Sequence, residues 1–155
     1  GFNNDDFSIA QSYFDNQLTS AGNGNLRLDG RDGFDVLRTG DDMTGDIDFT
    51  NVANGVIQNF EIFDAQNGND NTVTLGFDML FAQDSDEISL VTDENDTFKV
   101  DQQGGSHALQ GSDTQSITIA DGTKTTDFDT YELTNGGGDK VTLHVDQDAN
   151  VNFVN

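Results

Sequence analysis

The stretch Phe60–Asp78, FEIFDAQNGNDNTVTLGFD, is echoed 68 residues later by Phe128–Asp146, FDTYELTNGGGDKVTLHVD. The two copies align without a gap and share a leading Phe, an Asn-Gly pair, a Val-Thr-Leu run and a final Asp. In each copy, two apolar runs flank the Asn-Gly pair, which is a strong short-range signal for a β-hairpin. The repeat therefore predicts two hairpins and indicates a fold built from short strands.

Similar short apolar alternations recur along most of the chain, separated by clusters of Gly, Asn and Asp. They predict eleven strands: Leu26–Leu28, Phe34–Leu37, Ile47–Phe49, Ile57–Phe63, Val73–Leu75, Ile88–Val91, Phe98–Val100, Ile117–Ile119, Phe128–Leu133, Val141–Val145 and Val151–Val154. A short helical turn is the alternative within Leu75–Phe81. This spacing favours an all-β fold over a βαβ fold. We predict a jelly-roll-like β-sandwich of roughly ten short strands, with a β-solenoid as the alternative.

The N-terminal segment, residues 1–20, has a different pattern. Four apolar residues follow helical spacing, namely Phe7, Ala10, Phe14 and Leu18. An extended chain would instead place Phe7 and Ile9 on one face. We predict an N-terminal arm or short helix over residues 1–20 and a single β domain over residues 21–155 that contains both copies of the repeat.

The charge of the chain is strongly acidic, with 29 Asp and Glu against six Lys and Arg and a formal net charge of −23. Only four of the acids are Glu, so Asp predominates. Asp favours tight turns because its short side chain can bond to the nearby backbone, and its carboxylate is a hard oxygen ligand for Ca²⁺. Acidic turns between strands therefore predict bound calcium, which would also relieve self-repulsion of the chain.

Candidate calcium ligands come from acidic clusters and from two motif-like stretches. Gly30–Arg38 matches the calcium nonapeptide G-G-x-G-x-D-x-U-x at every fixed position except the second Gly, although an ordinary Gly-Asp turn explains it equally well. Asp146, Asp148 and Asn150 resemble the start of an EF-hand loop, but Val151 replaces the Gly that such a loop needs. The predicted ligands are Asp32, Asp35, Asp64, Asp78, Asp84, Asp86, Asp93, Asp96, Asp139, Asp146 and Asp148.

Composition also argues against several functions. The absence of Cys excludes disulfides and thiol chemistry, and the negative charge disfavours nucleic acid and anionic lipid as partners. No apolar run approaches the length of a membrane span. His107 and His144 are the only imidazoles, and neither lies in a nucleophile or zinc signature. We therefore predict that the chain is not an enzyme.

Three stretches carry a resemblance to a known class of protein: DGFDVL at Asp32–Leu37, the longer run Val52–Leu75, and the acidic segment Asp84–Leu90. Together they resemble modules of very large secreted bacterial proteins of the calcium-dependent RTX adhesin type. The resemblance covers about half of the chain and implies a secreted, calcium-stiffened β-domain that serves as spacer, adhesive element or matrix component. The chain departs from that family because it is short and lacks tandem nonapeptides.

These observations predict an extracellular structural protein: a Ca²⁺-stabilised β subunit that assembles with its own copies into a surface filament or biofilm matrix. Residues 1–20 or Val151–Val154 would be donated to a neighbouring copy by strand exchange. The alternative is a Ca²⁺-dependent adhesin or carbohydrate-binding module excised from a larger secreted protein, with surface glycans or other matrix proteins as partners. The initial Gly1 is expected for a processed chain or for an excised module.

Overall fold

The computed structural model describes residues 4–19, 26–119 and 122–155, and these residues form mainly β-strands. The strands are β1 Asp6–Ile9, β2 Leu28–Asp29, β3 Val36–Thr39, β4 Gly45–Asp48, β5 Ile57–Gln58, β6 Ile62–Asp64, β7 Asn71–Gly76, β8 Glu87–Val91, β9 Thr97–Asp101, β10 Ser106–Ile119, β11 Gly122–Thr134, β12 Lys140–Asp146 and β13 Asn150–Val154. The helical segments are α1 Gln11–Tyr13, a π-helical turn Phe14–Leu18, a 3₁₀ turn Phe49–Asn51 and α2 Phe77–Leu80. The predicted all-β class is confirmed.

Two main sheets make up the fold. The first sheet has the strand order β1-β3-β6-β8-β12-β11-β10, and the second sheet has the order β13-β9-β7-β4. Strands β2 and β5 form a small third sheet. From β1 to β12 the first sheet is parallel, and the second sheet is parallel throughout, whereas β10, β11 and β12 pair antiparallel.

The chain winds back and forth between the two sheets in successive coils. Val36 pairs with Ile62 in the first sheet, and Gly45 pairs with Asn71 in the second, so one coil takes 26 residues there. The sandwich-like arrangement is therefore confirmed, and its parallel strand pairing is that of the solenoid alternative. Short strands between polar turns look the same in sequence whether the next strand returns beside its predecessor or crosses to the opposite sheet.

Inward-facing rows from the two sheets form the core. In the first sheet the register aligns Leu37 with Phe63 and Leu90, and all three are buried. In the second sheet it aligns the buried residues Val73 and Phe98. Side chains alternate between the two faces of a strand, so only alternate residues point inward. Each coil therefore adds one residue to such a row. The stacked rows bury a continuous core that no single coil could form.

The two copies of the sequence repeat fold differently. The second copy is the predicted hairpin, because β11 and β12 pair antiparallel around a turn at Asn135–Asp139. The hairpin prediction is wrong for the first copy, whose strands β6 and β7 lie in different sheets. There the Asn-Gly segment forms a corner: Nδ2 of Asn67 donates to the carbonyl oxygens of Gly40 and Met43, both at 3.2 Å. These bonds fix the corner to the preceding coil.

The N-terminal segment contains both of the structures considered for it. Residues Asp6–Ile9 extend as β1 and pair in parallel with β3, and the helical segment Gln11–Leu18 follows. Phe14 from this segment packs edge-to-face on Phe49, with ring centroids 5.2 Å apart. The domain boundary predicted between residues 20 and 21 lies outside the described residues. The helical turn considered within Leu75–Phe81 is present as α2.

A long hairpin of β10 and β11 folds its far end over the outer face of the first sheet. Ile117 and Phe128 from this hairpin form a second apolar cluster with Val36, Ile62 and Val91. These three side chains point away from the main core, since their neighbours in sequence point into it. The hairpin therefore covers an apolar strip on the outside of the solenoid.

Candidate cation sites at the coil corners

Four Asp residues are fully or almost fully buried in the described parts of the chain, and they differ in how their charge is balanced: Asp35, Asp64, Asp96 and Asp146. Nε of Arg38 lies 2.9 Å from Oδ2 of Asp64. Lys124 reaches from β11 and pairs with Asp146. No Lys or Arg in the described residues forms a recorded ion pair with Asp35 or Asp96. An uncompensated buried charge is costly, so these two carboxylates are the candidate cation sites.

The first candidate is the Asp96 corner, which we define as Asn67, Asn71, Thr92, Asp93 and Asp96. Oδ1 of Asp96 accepts a hydrogen bond from the backbone N–H of Asn71 at 2.7 Å, and Oδ2 accepts one from the hydroxyl of Thr92. Oδ2 of Asp93 accepts one from the backbone N–H of Gly68 at 2.8 Å. The other Asp93 oxygen, Oδ1, is buried and has no hydrogen-bond partner. Two carboxylates therefore meet at this corner with one oxygen unused.

Coil stacking is what creates the Asp96 corner. Thr72 of β7 pairs with Thr97 of β9, which sets Asn71 beside Asp96. The Asn71 amide is best oriented with its nitrogen 2.9 Å from Oδ1 of Asn67 and its oxygen 3.2 Å from the backbone N of Gly45. Amide and carboxylate oxygens from successive coils therefore lie along one edge of the solenoid, and these are the ligand types that calcium prefers.

The electrostatics of this corner disfavour two negative charges. The pKa of Asp96 is raised from 3.8 to about 6, mainly by burial and also by the neighbouring Asp93 carboxyl, against the hydrogen bonds from Thr92 and Asn71. Near neutral pH, Asp96 is thus ionised in a place that favours its neutral form. A bound cation would reverse that preference.

The second candidate is the Asp35 pocket, which we define as Asp35 and the open acidic pocket beside it. The pocket has a volume of about 490 Å³ and is lined by Asp29, Arg31, Asp32, Gly33, Asn59, Glu61 and Asp84. Oδ1 of Asp35 accepts a hydrogen bond from the backbone N–H of Asp5 at 2.7 Å, whereas the buried Oδ2 has no partner. Oε2 of Glu61 accepts a bond from the backbone N–H of Asp35 at 2.8 Å.

Glycine at the start of the nonapeptide-like stretch permits this packing. A Cβ on Gly30 would lie 2.0 Å from the carbonyl oxygen of Asn59 and 2.7 Å from Cβ of Asp35. Burial raises the pKa of Asp35, and the charges of Asp5, Asp29 and Asp32 raise it further, against the bond from the Asp5 backbone. Asp29 and Asp32 line the acidic pocket, so the charge of the pocket acts on the Asp35 carboxyl.

Glu61 and Asp64 also have raised pKa values. For Glu61 the main cause is burial, with the adjacent charge of Asp35 adding to it. For Asp64 burial outweighs the attraction of Arg38. The carboxyls of Asp35, Glu61, Asp64 and Asp96 therefore all favour their neutral form more than they would in water.

The predicted ligands divide between these two sites and other places. Asp93 and Asp96 meet at one corner, and Asp32, Asp35 and Asp84 belong to the Asp35 pocket. The remaining six predicted ligands have other surroundings. Three of them form ion pairs: Asp64 with Arg38, and both Asp146 and Asp148 with Lys124. Asp78 accepts a hydrogen bond from the backbone N–H of Met79, Asp139 accepts one from Asn135 in the hairpin turn, and Asp86 is exposed. A metal ion at Asp146 would compete with an ammonium group.

Three residues of these surroundings escaped the sequence-based prediction: Asp29 and Glu61 in the Asp35 pocket, and Lys124 as the counter-ion of Asp146. The coil length of 26 residues is the signal that finds Glu61, because it follows Asp35 by that interval. Lys124 has no such signal, since it reaches Asp146 through the folded hairpin.

Calcium fits the donor chemistry of both sites only in part. Both sites offer hard oxygen ligands, and each has a buried carboxylate oxygen without a hydrogen bond. However, no group of three or more His, Cys, Asp or Glu side chains in the described residues is arranged to hold a metal ion. A calcium ion there would need amide oxygens, backbone carbonyls or water to complete its six to eight ligands.

Comparisons with known proteins give no family assignment. No family model matches the chain, and neither the curated proteins nor the solved structures include a match. Among the described residues, no helix has the length and apolar character needed to cross a membrane.

The raised pKa of Asp96 predicts an unusual pH dependence in the presence of a chelator. A carboxyl whose folded-state pKa lies at about 6 instead of 3.8 stabilises the fold when protonated, and this contribution is lost as pH rises through 6. We expect the free energy of unfolding to be higher at pH 5 than at pH 7.5, with about 1 kcal/mol from Asp96. Urea unfolding should show this difference, and Asp96→Asn should reduce it. A fold more stable at pH 7.5 would contradict the assignment.

The buried ion pair between Lys124 and Asp146 predicts that removing the lysine charge strongly destabilises the fold. Lys124→Met leaves a buried carboxylate unpaired, so we expect a loss of about 3–5 kcal/mol in the free energy of unfolding. The matched control is Lys140→Met, which breaks the exposed pair with Glu132 and should cost less than about 1 kcal/mol. Denaturant unfolding at neutral pH measures both variants. Equal losses would show that the Asp146 pair has no special role.

Proposed function

We propose that this chain is an extracellular structural module: a β-solenoid that calcium stiffens and that assembles with further copies into a filament or matrix. The observation that carries the proposal is the pair of buried carboxylates, Asp35 and Asp96, that lack a recorded partner among the described Lys and Arg residues. Each lies beside a second carboxyl, Glu61 or Asp93, and each site has a buried oxygen without a hydrogen bond. Extracellular calcium would supply the missing positive charge.

Calcium binding at these sites would have a large effect on stability. An ion present at about 100 times its Kd adds about 2.7 kcal/mol per site. Two such sites would add a substantial fraction of the 5–15 kcal/mol that is typical of a whole domain. Because the Asp96 corner joins residues of two successive coils, a cation there would also resist separation of the coils.

Assembly is supported by the sheet edges at the C-terminal end of the solenoid. Within the described part of the chain, β13 is hydrogen-bonded to β9 on one side and has no strand on the other. Open strand edges accept strands from other chains. Of the two predicted donor segments, residues 1–20 contain β1, which pairs with β3 of its own chain, and Val151–Val154 lies within β13 itself. Exchange of β1 would therefore require its release from β3.

The calcium proposal predicts opposite effects of one substitution with and without the ion. Asp96→Asn removes a strained charge, so in chelator at pH 7.5 we expect this variant to melt higher than the wild type. In millimolar Ca²⁺ we expect the wild type to gain several degrees, and Asp96→Asn to lose a large part of that gain. Asp46→Asn, at an exposed position of β4, is the matched control and should keep the full gain. Thermal unfolding followed by circular dichroism measures all three proteins.

Two results would count against calcium binding. If Ca²⁺ leaves the melting temperature of the wild type unchanged, the central claim fails. If monovalent salt at equal ionic strength gives the same gain, the effect is general screening of the acidic surface. Asp35→Asn tests the second site in the same way.

Assembly predicts a dependence on the open edge of β13. The N–H of Asn150 and the carbonyl of Val154 both bond toward β9, so strand alternation turns the N–H of Val151 to the open side. Val151→Pro should therefore block strand addition without removing a bond to β9. We expect sedimentation and electron microscopy in Ca²⁺ to show filaments or large assemblies for the wild type and for the control Val151→Ala, but fewer for Val151→Pro. Single copies for all three proteins would contradict assembly.

A further inference from the structure

A cleft separates the far end of the β10–β11 hairpin from the outer face of the first sheet. We call it the outer cleft; its volume is about 290 Å³, and its lining includes Phe34, Glu61, Glu87, Gln115 and His144. The floor comes from successive strands of the sheet, because the register aligns His144 with Ser89 and Ser89 with Ile62. Gln115 belongs to the hairpin strand β10, which forms the roof.

The hairpin contacts the sheet through apolar side chains on one side of this cleft and through polar ones on the other. Ile117 packs with Val36 and Ile62 in the second apolar cluster. Toward Glu87, Nε2 of Gln115 in the hairpin lies 3.2 Å from Nδ1 of His144 in the sheet. Within the sheet, Nε2 of His144 lies 4.0 Å from Glu87.

Phe34 is an exposed aromatic ring at this cleft. Its relative exposure is 66%, the highest of the large hydrophobic side chains in the described residues. The backbone is held in place, since the N–H of Phe34 donates to Oδ1 of Asn4 at 3.1 Å. An exposed ring on a fixed backbone offers its face to a ligand without a large ordering cost.

The acidic and basic side chains that line the outer cleft are those of Glu61, Glu87 and His144, without Lys or Arg. Glu61 is half-buried, and its Oε2 is already fixed by the N–H of Asp35, whereas the Glu87 side chain is 75% exposed. The net charge of −23 adds a negative potential around the whole molecule, and clefts concentrate such a field. The cleft is thus complementary to a positive group.

We propose that the outer cleft binds the ammonium or guanidinium group of a basic peptide, with the cation against the face of Phe34 and paired with Glu61 and Glu87. Aromatic rings attract such cations through the negative potential of their faces, and carboxylates add a charge-assisted hydrogen bond. A neutral sugar could also stack on Phe34, but it would leave both carboxylates without a counter-charge. The proposal does not rest on the proposed function, but Glu61 lines both the outer cleft and the Asp35 pocket, so calcium at Asp35 would compete with the peptide for this carboxylate.

Titration with short peptides tests the outer cleft. The probes are a Gly-rich peptide with a single central Lys, the same peptide with Arg, and the same peptide with Gln, each added to the full chain in chelator and again in Ca²⁺. We expect saturable chemical-shift changes at Phe34 and Glu87 with Lys and Arg, none with Gln, and weaker binding at high salt. A free polyamine in a separate arm separates a peptide requirement from simple binding of an amine.

Matched variants make the test specific. We expect Phe34→Ala and Glu87→Gln each to weaken binding about twofold to fivefold. Leu109→Ala, which truncates another exposed apolar side chain, and Glu94→Gln, which neutralises an exposed Glu, lie outside the cleft lining and should leave binding unchanged. Four outcomes would overturn the proposal: no saturable binding of the Lys and Arg peptides, equal losses in the controls, polyamine binding without peptide binding, or binding of a neutral oligosaccharide that needs Phe34 but not Glu87.

Discussion

In-register stacking of parallel coils is the constraint on which the other features depend. From β3 to β8 in the first sheet and from β4 to β9 in the second, each step sets a residue beside the one 25 to 27 positions later, as Arg38 is set beside Asp64. Polar residues at a corner therefore lie beside polar residues of the next coil and cannot move apart. In a chain with 29 acids, repulsion between stacked carboxylates must be avoided by placing amides there, or offset by the few basic residues or by external cations.

The first two solutions occur at different coils of the molecule, and among the described residues the Asp96 carboxyl has neither. Asn67 bonds to carbonyl oxygens of the preceding coil, Lys124 balances Asp146, and Asp96 has only neutral donors and the competing Asp93. Six basic residues cannot neutralise 29 Asp and Glu residues. The buried acids without a Lys or Arg partner among the described residues are thus a consequence of composition as much as of local geometry.

Most strand positions were predictable from local sequence, whereas strand partners were not. The positions were wrong where Ile57–Phe63, predicted as one strand, forms β5 and β6 in different sheets, and where β10 begins at Ser106 and not at Ile117. The alternating run at Val141–Val145 identifies β12, and the turn after Asn135 identifies its hairpin with β11. The same signals misassigned β6 and β7, because an Asn-Gly turn can close a hairpin or make a corner between sheets. The preceding coil decides that this turn is a corner, because its carbonyl oxygens accept hydrogen bonds from Asn67. For the candidate sites, the Asp clusters were visible in sequence, but Glu61 and Lys124 enter through long-range contacts that no local pattern encodes.

The antiparallel strands β11 and β10 cover the β12 edge of the first sheet, so the two ends of the solenoid are unlike. At one end the helical segment Gln11–Leu18 packs onto the core through Phe14, and at the other β13 leaves an edge open in the described chain. Continuing the all-parallel pairing of the second sheet beyond β13 would take a parallel strand, whereas pairing of two β13 strands about a twofold axis would be antiparallel. A contact of the first kind joins different surfaces of two copies. Such heterologous contacts give open chains unless their rotation closes a ring.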